Sequence, residues 1–116
     1  MIKNHENIGS LGNKDMMIRN YCVSGDIVFD VDPDDELIGR QVFNLINSIY
    51  LRTDKWFVYS NNILNHEDKP GRSKEIPKDT FKAYRTTEHF WATTHLKTFL
   101  RDLYMKIPPE HLFEDL

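Results

Sequence analysis

The chain has 116 residues, 40% of them hydrophobic and 28% charged, and carries a formal net charge of -3. This length fits one domain and is short for a two-domain enzyme, while the acidic balance argues against a nucleic-acid partner. The single cysteine, Cys22, excludes an internal disulfide. The sequence has no signal-peptide pattern and no apolar run of membrane-spanning length, so we expect a cytoplasmic protein without membrane contact.

Residues 1–14 are polar and without sustained periodicity, so we interpret them as an arm. Two β-prone runs follow, MMIRNYCV (16–23) and DIVFDV (26–31), joined by Ser24 and Gly25. Two such runs with a short glycine-containing link predict a β-hairpin. The alternating residues of the second run that should face the core are Ile27, Phe29 and Val31.

The stretch DVDPDDEL, residues 30–37, contains five carboxylates directly after an apolar run. Asp32 suits a helix N-cap, Pro33 suits the first helical turn, and the following acids suit the positive end of the helix dipole. This pattern predicts a helix from Pro33 to Leu51. Its apolar stripe would comprise Ile38, Val42, Leu45, Ile46 and Ile49.

The run KWFVYS, residues 55–60, predicts a third strand, and the polar loop 61–78 could include a short strand at Ile63 and Leu64. Helical periodicity predicts a last helix over 79–106, and Pro108 and Pro109 stop it. We therefore expect one α+β domain over 15–107, with a small antiparallel sheet, two helices and the order ββαβα. Residues 108–116 would form an acidic tail.

Two hypotheses for the acidic stretch remain open beside the helix cap. VFDVD resembles the FDxD motif of haloacid-dehalogenase phosphatases, and this resemblance implies that Asp30 is a nucleophile and Asp32 a general acid. Gly9, Ser10 and a later Asp-x-Asp also resemble the pattern of minimal nucleotidyltransferases. The second resemblance allows either Asp26 or the pair Asp30 and Asp32 at the acidic position. The alternative prediction is therefore a degenerate metal-dependent phosphoryl-transfer or nucleotide-binding domain that uses Asp30 and Asp32, with Asp26 as a further candidate.

The chemistry-bearing residues otherwise form no nucleophile–base pair, phosphate loop or metal-ligand spacing, so we expect neither a cofactor nor a metal. The last predicted helix carries a second ridge rich in aromatic residues and threonine, typical of a protein contact surface. The predicted partner-binding residues are Tyr84, Trp91, Arg101 and Met105. An exposed edge strand would also allow pairing with a second copy of the chain.

Isoleucine, asparagine, lysine, tyrosine and phenylalanine, whose codons are AT-rich, account for 40 of the 116 residues. This composition indicates an AT-rich genome, such as that of many phages and mobile elements. The leading functional hypothesis is a small non-enzymatic interaction protein, of the inhibitor, immunity or host-takeover kind. It would act in the host cytoplasm by blocking a macromolecular partner.

Overall fold

A computed structural model describes residues 2–64, 69–71, 73–76, 93 and 96–112 of the chain. In this part of the chain the helices are α1 (Gly9–Tyr21), α2 (Val42–Arg52) and α3 (Arg101–Tyr104), followed by a 3₁₀ helix at Pro109–Leu112. The strands are β1 (Ile27–Asp30), β2 (Phe57–Tyr59), β3 (Ile63–Leu64), β4 (Lys69–Pro70) and β5 (Lys97–Leu100). These helices and small antiparallel sheets confirm the predicted α+β class.

The larger sheet has three strands in the order β1-β5-β2, with β5 in the centre. Strand β2 runs antiparallel to β5, and Val58 lies opposite Thr98. Strands β3 and β4 form a separate two-stranded antiparallel sheet. The positions of β1, β2 and β3 confirm the strands predicted in 26–31, 55–60 and at Ile63 and Leu64.

The predicted hairpin is wrong in its first strand, because residues 16–21 belong to helix α1. Methionine and arginine are good helix formers, and a helix brings Arg19 within 2.6 Å of Asp15, one turn earlier. The helix also includes residues 9–14 of the expected arm. The turn at Ser24 and Gly25 is present, but it connects a helix to β1. The wider division into arm, domain and tail stays a prediction.

The helix expected from Pro33 begins only at Val42, so Asp32 is not its N-cap. Residues 32–35 form a turn instead, in which the Asp35 N–H donates to the Asp32 carbonyl at 3.0 Å. Gly39 then has a φ of +80°, which is outside the right-handed helical region and cannot be part of an α-helix. The helix therefore starts after this glycine, with Gln41 at the N-cap.

The last predicted helix is wrong at its end, because residues 97–100 form strand β5. Residues 79–92, 94 and 95 of that prediction lie outside the described residues. The sheet outweighs the helical periodicity at this point, since Lys97, Thr98 and Phe99 pair with the three residues of β2. The helical residues that follow are only the four of α3. In the described residues the helices and strands follow the order α1, β1, α2, β2, β3, β4, β5, α3, which replaces the predicted order ββαβα.

Two compact units can be distinguished within this small domain: residues 1–28 with 100–116, and residues 29–99. Among the described residues, no helix combines the length and the apolar character needed to cross a membrane.

In the first unit, polar contacts connect α1 with residues near the C-terminus. Arg19 Nε donates to Asp15 Oδ1 at 2.6 Å, and its Nη2 donates to the carbonyl of Ile107 at 2.9 Å. Tyr104 Oη donates to the same Asp15 oxygen at 3.0 Å, and the guanidinium carbon of Arg19 lies 5.5 Å from the Tyr104 ring centre. Burial, reinforced by the bond to Asp15, raises the pKa of Tyr104 to about 12.

The turn before β1 is held by a second carboxylate in this unit. Asp102 Oδ2 accepts hydrogen bonds from Ser24 Oγ at 2.8 Å and from the N–H of Gly25 at 3.1 Å. The Ser24 bond is the main cause that lowers the pKa of Asp102 below its usual value. Gly25 has a φ of +88°, and the Asp26 N–H donates to the Val23 carbonyl at 3.1 Å to close the turn.

In the second unit, α2 is attached to the sheet by a buried polar contact. Thr98 on β5 has 0% exposure, and its Oγ1 donates to the Val58 carbonyl at 2.9 Å. Since that proton is engaged, the Tyr50 hydroxyl donates to Thr98 Oγ1 at 3.0 Å. Burial raises the pKa of Tyr50. Ile46 on α2 and Leu96 before β5 are the buried apolar side chains of this unit among the described residues.

Candidate binding groove

The second unit contains a cleft of about 280 Å³, which we call the groove. Its lining comes from residues 31–38, from the first turns of α2, from residues 60–63 and from Leu96. Most of the lining is aliphatic, with Val31, Leu37 and Val42 half-buried and Ile46 buried. The groove is therefore an apolar depression whose lining combines buried and solvent-accessible side chains.

One wall of the groove exists because the chain before α2 is not helical. The turn at residues 32–35 and the left-handed Gly39 hold residues 35–38 in an irregular segment. Leu37 from this segment and Val42 from the first turn of α2 both line the groove. A helix beginning at Pro33 would instead have placed these side chains on successive turns of one cylinder.

The opposite wall follows β2 and is fixed by two hydrogen bonds to the chain before β5. The Ser60 N–H donates to the Leu96 carbonyl at 2.9 Å, and the Leu96 N–H donates to Ser60 Oγ at 3.0 Å. These bonds continue the antiparallel pairing of β2 with β5 past the end of the strands. Ser60 and Leu96 are thereby held in position, and Ile63 on β3 extends the same wall.

Large apolar side chains of the groove remain exposed to solvent. Ile38 is 65% exposed, Leu45 is 61% exposed and Ile63 is 49% exposed. Phe43, which is exposed but does not line the groove, packs on Phe29 with ring centres 4.8 Å apart. A cluster of this kind differs from the single exposed apolar residues found on most protein surfaces, and it is typical of interaction sites.

The charged residues that line the groove are both acidic. Asp35 and Glu36 are exposed and belong to the irregular wall, whereas Ser60, Asn61 and Asn62 on the opposite side are polar and uncharged. The groove thus combines an apolar interior with negative charge on one side.

The predicted partner-binding residues lie elsewhere in the chain. Tyr84 and Trp91 are outside the described residues. Arg101 begins α3, with its Nη1 3.4 Å from Asp102, and its Nε is buried without a hydrogen-bond partner in the described part of the chain. Met105 follows α3, and its sulfur accepts a hydrogen bond from Arg19 Nη1 at 3.7 Å. Arg101 and Met105 are thus half-buried residues of the first unit.

The three carboxylates of the alternative acidic site have different surroundings. Asp26 Oδ2 accepts a hydrogen bond from the Val23 N–H at 2.8 Å in the turn before β1. Asp30 is the last residue of β1, and Asp32 begins the turn before the groove. Among the described residues, the carboxylates that could share an ion are those of Asp32, Asp34 and Asp35, whose oxygens lie within 4.8 Å of one another.

Two apolar pairs in the sequence lie in the groove region, but the sequence alone did not show that they lie close together. Leu37 and Ile38 form an apolar pair directly after the acidic run, and Ile63 with Leu64 forms another inside a polar loop. Apolar pairs in such polar surroundings favour contact with a neighbouring element. The helical period of 3.6 residues placed Ile38 in the predicted helix, whereas in the structure Ile38 precedes α2.

Comparison with protein-family models, with curated proteins and with solved structures finds no match for this chain. The structure itself defines a small α+β domain with an apolar groove.

Proposed function

We propose that this chain is a small non-enzymatic interaction module that binds a partner protein through the groove. The observation that carries the proposal is the exposed apolar cluster of Ile38, Leu45 and Ile63 around an apolar cleft. A volume of about 280 Å³ lies just below the usual range of small-molecule pockets. It suits an anchoring side chain of a partner, and such anchors supply most of the energy of protein interfaces.

The attachment of α2 to the sheet supports the same proposal. Tyr50 and Thr98 connect the helix to β5 through a part-buried hydrogen bond, and Ile46 is a buried residue of the groove lining. A binding surface that is already ordered loses less conformational entropy on association. Leu45 is next to Ile46 in this ordered helix, so we expect Leu45 to contribute to the affinity for a partner.

The surface predicted from the sequence stays a prediction for Tyr84 and Trp91. Arg101 and Met105 are half-buried and interact within the first unit, so they offer less area to a partner than the groove does. Self-association through an edge strand also stays a prediction, with β1 and β2 at the two edges of the larger sheet.

Within this proposal, the chain acts as an inhibitor that blocks a macromolecular partner in the host cytoplasm. The sequence contains no catalytic motif, so occlusion of the partner is the simplest way for the chain to act. The small size of the chain fits the same role. The AT-rich residue composition supports an origin in a phage or mobile element.

The competing hypothesis is a degenerate metal-dependent phosphoryl-transfer or nucleotide-binding domain that uses Asp26, Asp30 and Asp32. Thermal unfolding with and without Mg²⁺, Mn²⁺ and Ca²⁺ distinguishes the two. An ion at 100 times its dissociation constant would stabilise the fold by about 2.7 kcal/mol. Under the interaction proposal, the unfolding temperatures of the wild type and of Asp30→Asn respond equally to each ion. A rise with one ion that Asp30→Asn abolishes would favour the competing hypothesis.

The interaction proposal is tested with a random peptide library displayed on phage and selected on the immobilised wild-type protein. Affinities of the enriched peptides are then measured on two variants of α2, Leu45→Ser and Leu51→Ser. Both positions are exposed and only Leu45 lines the groove, so Leu51→Ser is the matched control.

We expect Leu45→Ser to weaken binding at least tenfold, which corresponds to about 1.4 kcal/mol, and Leu51→Ser to leave it nearly unchanged. Circular dichroism and unfolding temperature establish that both variants are folded. The proposal is overturned if no peptide is enriched, or if the enriched peptides bind Leu45→Ser as tightly as they bind the wild type.

A further inference from the structure

We infer that the partner segment is basic as well as apolar: it inserts an apolar side chain into the groove and places lysine or arginine beside Asp34 and Glu36. This inference rests on the interaction function proposed above and names the chemistry of the partner at the same groove. It is carried by the position and the sign of the charges around the apolar cleft.

Negative charge is concentrated on one wall of the groove. Glu36 is exposed there and lines the cleft together with Asp35, and Asp34 is exposed in the adjoining turn. Residues 30–36 contain five carboxylates and no basic residue. The turn at residues 32–35 holds carboxylate oxygens of Asp32, Asp34 and Asp35 within 4.8 Å of one another.

Among the described residues that line the opposite wall, none carries a positive charge. Ser60, Asn61 and Asn62 are neutral, and Ile63 and Leu96 are apolar. A partner that fills the cleft is thus placed between a neutral wall and an acidic wall. An acidic segment would be repelled from this position, whereas a basic segment would be attracted and oriented.

Lysine and arginine suit this combination for a further reason. Their aliphatic stems pack on apolar surface while the charged head reaches outward. The exposed side chains of Ile38 and Leu45 offer such a surface in the groove that Glu36 also lines. One basic side chain can therefore cover apolar area and meet a carboxylate at once. Because the carboxylates of Asp34 and Glu36 are exposed, the attraction should weaken as salt increases.

The test uses two fluorescent synthetic peptides with leucine at the same helically spaced positions. One peptide carries lysine and the other glutamate at the remaining positions. Both are titrated by fluorescence anisotropy with the wild type and with four variants. The charge variants are the double substitution Asp34→Asn with Glu36→Gln, and the control Glu110→Gln in the first unit. The apolar variants are Leu45→Ser and Leu51→Ser, which leave the net charge unchanged.

We expect the lysine peptide to bind the wild type at least tenfold more tightly than the glutamate peptide, and to lose affinity with salt. The double substitution at Asp34 and Glu36 should weaken its binding about three- to tenfold, and Leu45→Ser should weaken it to a similar extent. Glu110→Gln and Leu51→Ser should change it little. All variants should keep the wild-type circular dichroism spectrum, because the substituted side chains are exposed.

The failures of the two proposals give different results. If both peptides bind equally and both depend on Leu45, the interaction function stands and the inferred basic chemistry is overturned. If the lysine peptide binds but ignores Leu45→Ser, or responds equally to Glu110→Gln and to the double substitution, the attraction is to bulk charge and the inference is overturned. If neither peptide binds, the inference is overturned, and the display selection alone decides the interaction function.

Discussion

The two compact units of this chain are organised by different kinds of contact. In residues 1–28 and 100–116, charged and hydrogen-bonded side chains connect segments that are far apart in the sequence, with Arg19 bound to Asp15 and to the Ile107 carbonyl. In residues 29–99, a sheet and a helix pack around Ile46 and Leu96, and apolar side chains extend from there to the surface.

The two kinds of contact suit different tasks, namely holding segments of the chain in place and binding a partner. Directional polar contacts such as those of Arg19 and Asp102 define the geometry of a segment, but they offer a partner little apolar area. The apolar cleft of residues 29–99 is less specific in direction and more favourable for binding, because burial of its exposed side chains would release water. The contrast supports our proposal that the interaction site lies in the second unit.

The largest effect on folding stability is expected in the apolar core of the second unit. Ile46→Ala should lower the free energy of unfolding by about 2–5 kcal/mol, because it removes a side chain with only 5% exposure and leaves a cavity. Leu45→Ala, at the adjacent position with 61% exposure, should cost well under half as much. Urea unfolding of both variants measures the difference. Equal losses would mean that Leu45 is as important to the fold as Ile46.

The buried hydroxyl of Thr98 is the polar exception in the second unit. Thr98→Val should lower the free energy of unfolding by about 1–3 kcal/mol, because the Tyr50 hydroxyl and the Val58 carbonyl each lose the hydrogen bond to Thr98 Oγ1. Thr98→Ser keeps the hydroxyl and is the matched control for these bonds. In the double variant with Tyr50→Phe, the losses should be less than additive. Full additivity would show that the two side chains act independently.

In the first unit, Tyr104→Phe should cost about 1 kcal/mol at neutral pH through the lost bond to Asp15. The folded state raises the pKa of Tyr104 from its ordinary value of 10.0 to about 12. Its contribution is therefore complete below pH 10 and is lost as the pH rises towards about 12. Unfolding across this range should show a steeper decline for the wild type than for Tyr104→Phe. Parallel curves would contradict the raised pKa.

The smallest effect is expected at Asp102, whose lowered pKa results chiefly from the bond with Ser24. A lowered pKa stabilises the fold above the ordinary value of 3.8 and ceases to do so as the pH falls through the folded value. The acid limb of stability should therefore be shallower in Asp102→Asn than in the wild type. Asp54→Asn, at a side chain that is 98% exposed, is the control and should leave the limb unchanged.

Parts of the fold and of the groove were predictable from local patterns. Alternation and β-branched residues located β1 and β2, and the apolar pair Ile63–Leu64 located β3. The acidic stretch marks a boundary between two elements, as predicted, but the positive φ of Gly39 interrupts the expected helix, so α2 begins nine residues later than Pro33. The groove was not predicted, because its walls come from segments separated by more than ten residues.

The sequence by itself determined the α+β class, the strands with strong β-propensity and the turn at Ser24 and Gly25, because these depend on neighbouring residues. Only the tertiary structure decided that residues 9–21 are helical and that residues 97–100 pair with β2. It also decided which exposed apolar side chains gather around one cleft. The physical reason is that these outcomes depend on distant partners, such as Arg19 with Ile107 and Val58 with Thr98, whose contacts outweigh local propensity.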